Sequence, residues 1–351
     1  MSIPSGPQVS VVTPAYNEEE HLAECIESVL AQTYQNWDYT IVNNCSTDRT
    51  LEIARRYASK DRRIRVHDNT QFLPMLANHN VAVRQISEGS KYCKMVLADD
   101  WIFPECLERM VDVAEEYPSV GVVSAYEQCG DEVRMKGLPV GTRFVSGKEA
   151  SRQFLMDKLL LFGSQNSVLY RADLVRSRSP FYVETEMYAD FESCFWILKR
   201  ADLGFVHGIL TFSRRRPASI GAVSSDMGIH YGSSLGMLST YGRDCLTNEE
   251  FEESQERELS KYYKFLGRRL LVERDHDFWS YHKKTLSQMG LGFSHARLAR
   301  EAVGQLFASL LDPKSTWQSF GRLFKLQRIR NRQTRDVVLR AESNDRSVER
   351  S

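Results

Sequence analysis

Residues 9–30 read VSVVTPAYNEEEHLAECIESVL, and this stretch decides the fold class. Val9 to Thr13 form a β-branched run that stops at Pro14, as a short strand does. Leu22, Cys25, Ile26, Val29 and Leu30 then recur at the i, i+3, i+4, i+7, i+8 spacing of one helix face. Asn17 stands where an N-cap belongs, and Glu18 to Glu20 bring carboxylates to the positive end of the helix dipole. A strand that passes through a short polar turn into an amphipathic helix is the first half of a βαβ unit.

The alternation continues downstream. Tyr39–Asn43 predicts a second strand, and Thr47-Asp48 opens a helix with Leu51, Ala54 and Ala58 on its inner side. Ile64–His67, Tyr92–Leu97 and Val120–Ala125 predict three more strands. Pro104 fits the first turn of a helix carrying Leu107, Met110, Val111 and Ala114. Strands separated by helices imply an α/β fold with a mostly parallel sheet. Beyond Asp131 a helix is predicted over Lys148–Leu161, and a strand pair at Ser167–Tyr170 and Gly204–Leu210. The composition shifts near Thr247: Asn248–Glu258 is acidic and Lys314–Arg340 strongly basic. The expected division is therefore a catalytic α/β domain over 1–244 and a largely helical region over 245–351.

The formal net charge is zero, so no global field points to nucleic acid. No apolar run reaches the roughly 18 residues of a transmembrane helix, and the first residues lack the basic and apolar regions of a secretory signal. The seven cysteines form no CxxC pair and read as buried thiols of a reducing compartment rather than a zinc site or disulfide framework. These features predict a cytoplasmic protein.

In an open α/β sheet, ligands bind outside the carboxyl ends of the strands. Three polar clusters fall there: Pro14-Ala-Tyr-Asn-Glu18, Asn43-Asn-Cys-Ser-Thr-Asp48, and Asp99-Asp100. Each alone could be an ordinary turn or cap. Together on one sheet edge they predict a ligand crevice. Asp99 and Asp100 follow the apolar run Met95-Val-Leu-Ala98, and adjacent carboxylates repel unless a cation or basic group separates them. A hard divalent ion bridging a diphosphate satisfies that requirement. The Gly-rich phosphate loops of dinucleotide oxidoreductases and P-loop enzymes are missing.

These residues resemble a known family. Val11-Val-Thr-Pro-Ala-Tyr-Asn-Glu-Glu19, Val42-Asn-Asn-Cys-Ser-Thr-Asp-Arg-Thr50 and Leu97-Ala-Asp-Asp100 are similar to successive signatures of family 2 glycosyltransferases with the GT-A, Rossmann-like fold. Gly163-Ser-Gln-Asn-Ser-Val-Leu-Tyr-Arg171 resembles the acceptor-side segment. Tyr188-Ala-Asp-Phe-Glu192 resembles the motif of the catalytic base, and Arg214-Arg-Arg-Pro-Ala-Ser219 the closing Arg-x-His motif. The resemblance covers roughly residues 8–222. It implies an inverting transfer of a sugar from a nucleoside diphosphate sugar to a polysaccharide, lipid-linked or glycoprotein acceptor. Pro14, Tyr16 and Glu18 would line base and ribose, and Asn44 would face the base edge, favouring a UDP-type donor. Asp99, with Asp100, would bind Mn2+ or Mg2+, His79 and Arg214 would contact the diphosphate, and Asp190 would be the general base, with Glu192 its runner-up. The chain departs from the family at Asn43, Asn44, Leu97 and Ala189, and at Arg216, which can hold a diphosphate bidentately where the family has His.

A nucleotidyltransferase would also join a nucleotide site to paired carboxylates, but it wants a Gly-rich first loop. A non-catalytic sugar-nucleotide-binding module is motivated by the departures at Asn43, Asn44 and Leu97, and the retention of Asp99 and Asp190 argues against it. In the tail, Trp317, Phe320, Leu323 and Phe324 can share one side of a helix among Arg322, Lys325, Arg328, Arg330 and Arg332. Such a segment either packs its aromatics on the protein or lies on an anionic membrane surface.

Overall fold

The computed structural model describes residues 6–186, 188–215, 227–270, 273 and 275–311. The residues fall into two compact units: Met1–Arg215 with Thr240–Phe251, and Arg216–Ser239 with Glu252–Ser351. The division therefore does not fall at one point near 245. The chain leaves the first unit, returns for a short helical stretch, and leaves again.

The first unit is built on one sheet. β1 (Val9–Ala15), β2 (Trp37–Asn43), β3 (Ile64–Asp68) and β4 (Tyr92–Met95) stand in the order β3-β2-β1-β4, all parallel. The crossovers are α1 (Leu22–Leu30), α2 (Thr50–Ala58) and α3 (Met75–Arg84). Every residue of β1 is buried, because a parallel strand is covered on both faces and reads as a continuous apolar run. Leu22, Cys25, Ile26 and Val29 of α1 pack into the same core, each large aliphatic side chain contributing roughly 1.5–3 kcal/mol by leaving water.

After β4 come the short β5 (Trp101–Ile102), α4 (Cys106–Glu116), β6 (Val120–Cys129), β7 (Glu132–Arg134), β8 (Phe144–Val145) and α5 (Gly147–Leu155). A single helical turn at Gln165–Ser167 leads into β9 (Val168–Arg171), then α6 (Ala172–Arg176), α7 (Ala189–Leu198) and β10 (Asp202–Ser213). The sheet continues β4-β9-β6-β10-β5, with β9 antiparallel to both neighbours and β6 parallel to β10. The predicted pairing of the two late strands is thus corrected: β9 and β10 each pair with β6 instead of with each other. Asn17 is corrected too, since α1 begins five residues later, at Leu22, after a turn in which Leu22 N–H donates to Glu18 O. In α2 the buried residues are Thr50, Ile53 and Ala54, with Leu51 only half-buried.

The second unit is helical. It draws on α8 (Ile229–Cys245), α9 (Asn248–Leu270), α10 (His276–Gln288) and α11 (His295–Leu311), of which Thr240–Phe251 belongs to the first unit. Its own core comprises Leu235, Tyr262, Tyr263, Leu266, Phe278, Leu286 and Leu298. His282 is buried in it, its Nδ1 2.6 Å from the Tyr262 hydroxyl, and burial pushes the imidazole down to about 3. None of the described helices is long and apolar enough to cross a membrane.

Candidate active site

The loops that leave β1 and β2 are tied into one platform. Asn44 N–H donates to Ala15 O at 2.9 Å, which carries the parallel pairing one step past the strands. Asn17 adopts a left-handed conformation (φ 53°), open to Asn at small cost, and its Oδ1 accepts from Thr47 N–H at 2.8 Å. Glu19 N–H donates to Asp48 and Arg49 N–H to Glu19, at 3.0 and 3.1 Å. Glu18 N–H donates to the Thr50 hydroxyl at 2.7 Å. Tyr16 is 41% exposed on this platform and meets the exposed Phe72 edge-on, ring centroids 4.9 Å apart. Two open aromatic faces at a strand end suit a nucleobase.

Other residues expected in the nucleotide site have different work. Pro14 is buried inside β1, beside Val42 of β2. Asn44 is buried, and its amide holds the following loop: Oδ1 accepts from Leu73 N–H (2.9 Å) and Asn69 Nδ2 (3.0 Å), while Nδ2 donates to Leu73 O (2.8 Å). Both acceptor positions of that oxygen are filled, so it has none left for a ring N–H of the base. His79 is buried on α3, against Tyr182, and burial pushes it down to about 4. A neutral ring cannot pair with a diphosphate as a charge, which corrects the expected role.

The acidic centre lies past the end of β4. Asp99 is half-buried and Asp100 buried. Asp100 Oδ1 accepts from Arg214 N–H at 2.8 Å. The Ser213 hydroxyl stands 3.1 Å from Asp100 Oδ2 and 2.8 Å from Glu127 Oε1. Burial, then repulsion by Asp99 and further by Glu127, pushes Asp100 up to about 8. The Arg214 guanidinium donates to Asp99 O (3.1 Å) and to the Glu24 carboxylate (2.7 Å), and lies over the Trp101 ring. Asp99, Asp100 and Arg214 are therefore brought together as expected. Arg216 lies outside the described residues.

Glu127 was not foreseen. It sits on β6 opposite Thr211 of β10, its side chain wholly buried. Its Oε1 also accepts from the Ser164 hydroxyl, on the segment Gly163–Arg171, while Oε2 has no hydrogen-bond partner among the described residues and lies 3.8 Å from the Arg134 guanidinium. The same segment is held from β4 by buried Lys94, whose Nζ donates to the carbonyls of Asn166 and Val168.

Asp190 occupies the first turn of α7, partly exposed, with Oδ1 accepting from Phe191 N–H at 2.9 Å. Removal from water, with a smaller contribution from Glu127, pushes its carboxyl up to about 7. Glu192, one turn on, is taken: Arg178 donates to both its oxygens at 2.9 Å and the Tyr241 hydroxyl to one. Glu192 is thus engaged in a structural ion pair, whereas Asp190 has a proton affinity raised to the range of a neutral-pH base.

The carboxylates fit a divalent ion. Among the described residues no cluster of three or more His, Cys, Asp or Glu side chains could hold one alone. Burial, with the neighbouring charges of Asp99 and Glu127, raises Asp100 towards the neutral range. A hard cation taking one or two carboxylates, with phosphate oxygens and water completing its shell, relieves that charge.

A half-parallel α/β sheet thus carries, at one edge, an aromatic platform and a carboxylate pair beside an arginine, with a raised carboxyl on a later helix. Residues 10–178 match the model of glycosyl transferase family 2, and this part of the chain is a family 2 domain of GT-A fold. EpsE of Bacillus subtilis is 36% identical over 134 residues, 38% of this chain and 48% of EpsE, so the chain spans less than two thirds of that relative. Staphylococcus aureus TarS 1-349 in complex with UDP-GlcNAc shares the fold, with a TM-score of 0.60 at 16% identity over 80% of each chain. Mannosyltransferase PcManGT from Pyrobaculum calidifontis, in complex with GDP-Man and Mn2+, has a TM-score of 0.51 at 15% identity over 94% of this chain and 89% of its own.

Proposed function

We propose that this protein transfers a sugar from a nucleoside diphosphate sugar to a hydroxyl of a polysaccharide, lipid-linked or glycoprotein acceptor, with inversion. The observation that carries the reading is Asp190: a carboxyl at a helix start, held up to about 7 by burial and, to a smaller extent, by Glu127, the carboxylate to which Ser164 donates. Its carboxylate takes the acceptor proton as the acceptor oxygen bonds to the anomeric carbon. The bond from that carbon to the diphosphate oxygen breaks on the opposite side, and the nucleoside diphosphate leaves.

Tyr16 and Phe72 offer the base its faces, and Glu18 lies on the platform where the ribose would follow. Asp99 and Asp100 would hold Mn2+ or Mg2+, which neutralises the leaving diphosphate when bound, and Arg214 stands beside them for the same charge. Asn44 shapes the platform without reading the base. The support for a uridine donor is therefore the UDP-GlcNAc complex of TarS, a protein of the same fold.

Release of nucleoside diphosphate from a panel of UDP-, dTDP- and GDP-sugars, with and without Mn2+, tests the reading. Turnover of one donor, dependent on Mn2+ and lost in Asp99→Ala, is expected. No turnover of any donor, together with donor binding that Asp99→Ala leaves unchanged, would leave a binding module in place of an enzyme.

A further inference from the structure

The serine that ends β10 has two carboxylates in reach and one hydrogen to give. The Ser213 hydroxyl stands 2.8 Å from Glu127 Oε1 and 3.1 Å from Asp100 Oδ2. The nearer oxygen belongs to a side chain with no exposed surface, where an unmet acceptor costs most. The hydrogen therefore goes to Glu127. Ser213 Oγ is left facing Asp100 Oδ2 lone pair to lone pair, and Asp100 is itself buried.

The surroundings do not relieve that contact. Asp100 Oδ1 has the Arg214 N–H at 2.8 Å, but Oδ2 has no partner besides Ser213 among the described residues. Glu127 Oε2, equally buried, has no hydrogen-bond partner there at all. Positive charge between Asp100 Oδ2 and Ser213 Oγ removes the conflict, and the spacing suits a metal ion. Around Mg2+, with bonds of about 2.0–2.1 Å at right angles, neighbouring ligand oxygens lie about 2.8–3.0 Å apart. Mn2+ takes the same octahedral oxygen shell. At 3.1 Å, the two oxygens stand as adjacent corners of such an octahedron. Strand pairing fixes one corner, since Ser213 is in register with Cys129 of β6.

We propose that Ser213 is a ligand of the divalent ion, its Oγ joining Asp100 Oδ2 in the coordination shell while Glu127 takes its hydrogen and aims its lone pairs. Glu127 is then a positioning residue that acts through Ser213. This role rests on the reading of Asp99 and Asp100 as the metal carboxylates, and adds to them an oxygen from another strand. It also accounts for the lack, among the described residues, of three His, Cys, Asp or Glu side chains around one point. A neutral hydroxyl fills a coordination place without adding charge. The ion keeps more of its own charge for a diphosphate than a third carboxylate would leave it.

Mn2+ binding to the full chain is measured by loss of the free-ion EPR signal, with and without UDP, and Cd2+ is titrated in competition. Ser213→Ala should weaken Mn2+ binding about tenfold, and Ser213→Thr, which keeps the hydroxyl, should restore most of it. Ser213→Cys puts a soft sulfur at the same corner, so preference for Cd2+ over Mn2+ should rise about tenfold above wild type. The seven native cysteines are common to both proteins and cancel in that comparison. Each variant is melted first; if Ser213→Ala unfolds early, Ser213→Thr and Ser213→Cys carry the test. Wild-type Mn2+ affinity in a folded Ser213→Ala would overturn the proposal. An unchanged Cd2+ preference in a folded Ser213→Cys would overturn it too, leaving Ser213 as a hydrogen-bonding neighbour of Asp100. Both outcomes keep Mn2+ on the wild type. A wild type that binds no Mn2+ even with UDP would instead bring down the metal-assisted reading, and this role with it.

Discussion

Asp190 is where residue chemistry becomes testable. Its carboxyl is pushed up to about 7 from an ordinary value near 4, so it ionises across the neutral range. A base works only when ionised, and turnover should rise with pH along a limb centred near 7. Asp190→Asn should remove the limb and about two orders of magnitude of turnover, with donor affinity little changed. The linkage runs the opposite way for stability. A carboxyl whose folded pKa is raised favours the folded state most below its unfolded pKa, and loses that advantage as pH rises from about 4 through 7. Asn cannot ionise, so the variant should melt above wild type at pH 8, with the difference shrinking towards pH 4. Glu127 contributes by repulsion, so Glu127→Gln should move the activity limb to lower pH. A limb unmoved in Asp190→Asn would assign the base elsewhere.

At the scale of elements, α7 divides two acids between two kinds of work. Glu192 is held by Arg178 and Tyr241, with the charged side chains only 14% and 17% exposed. Hydrogen bonds between charged groups are worth about 1.5–3 kcal/mol, so Glu192→Ala should cost roughly 1–3 kcal/mol after discounting for the remaining solvent. Below its melting point the variant should keep turnover within about threefold. A loss like that of Asp190→Asn, with stability intact, would exchange the two roles. The sequence ranked Asp190 above Glu192 only through the family resemblance, because both stand in one short motif and the partners of Glu192 are 14 and 49 residues away. What was legible followed local periodicity: β1, α1, β2, α4 and β6 announce themselves by β-branched runs and helical spacing. Helix α3 did not, because Asn78, His79 and Asn80 are on its buried side and blur the apolar stripe. The place of β9 between β4 and β6 is a long-range pairing that no local pattern states. Glu127 was hidden for the same reason, its burial coming from β10 and Ser164 rather than from its neighbours in the chain.

The whole molecule has two hydrophobic cores, one around the sheet of the first unit and one among the helices of the second. All site residues placed above belong to the first. A ligand that binds only the folded form raises stability by mass action, about 2.7 kcal/mol at a hundred times its dissociation constant. For a unit of roughly 150–250 residues each kcal/mol moves the midpoint by about 2–4 °C. Scanning calorimetry with Mn2+ and a saturating nucleoside diphosphate should therefore raise the transition of the sheet-based unit by about 5–10 °C. The helical core should melt where it did. Asp99→Ala should remove the Mn2+-dependent share of that shift and keep whatever the nucleoside contributes through Tyr16 and Phe72. Should the helical transition move while the other stays fixed, the nucleotide site would have to be sought in the second unit, and the assignment of the platform around Tyr16 would fall with it.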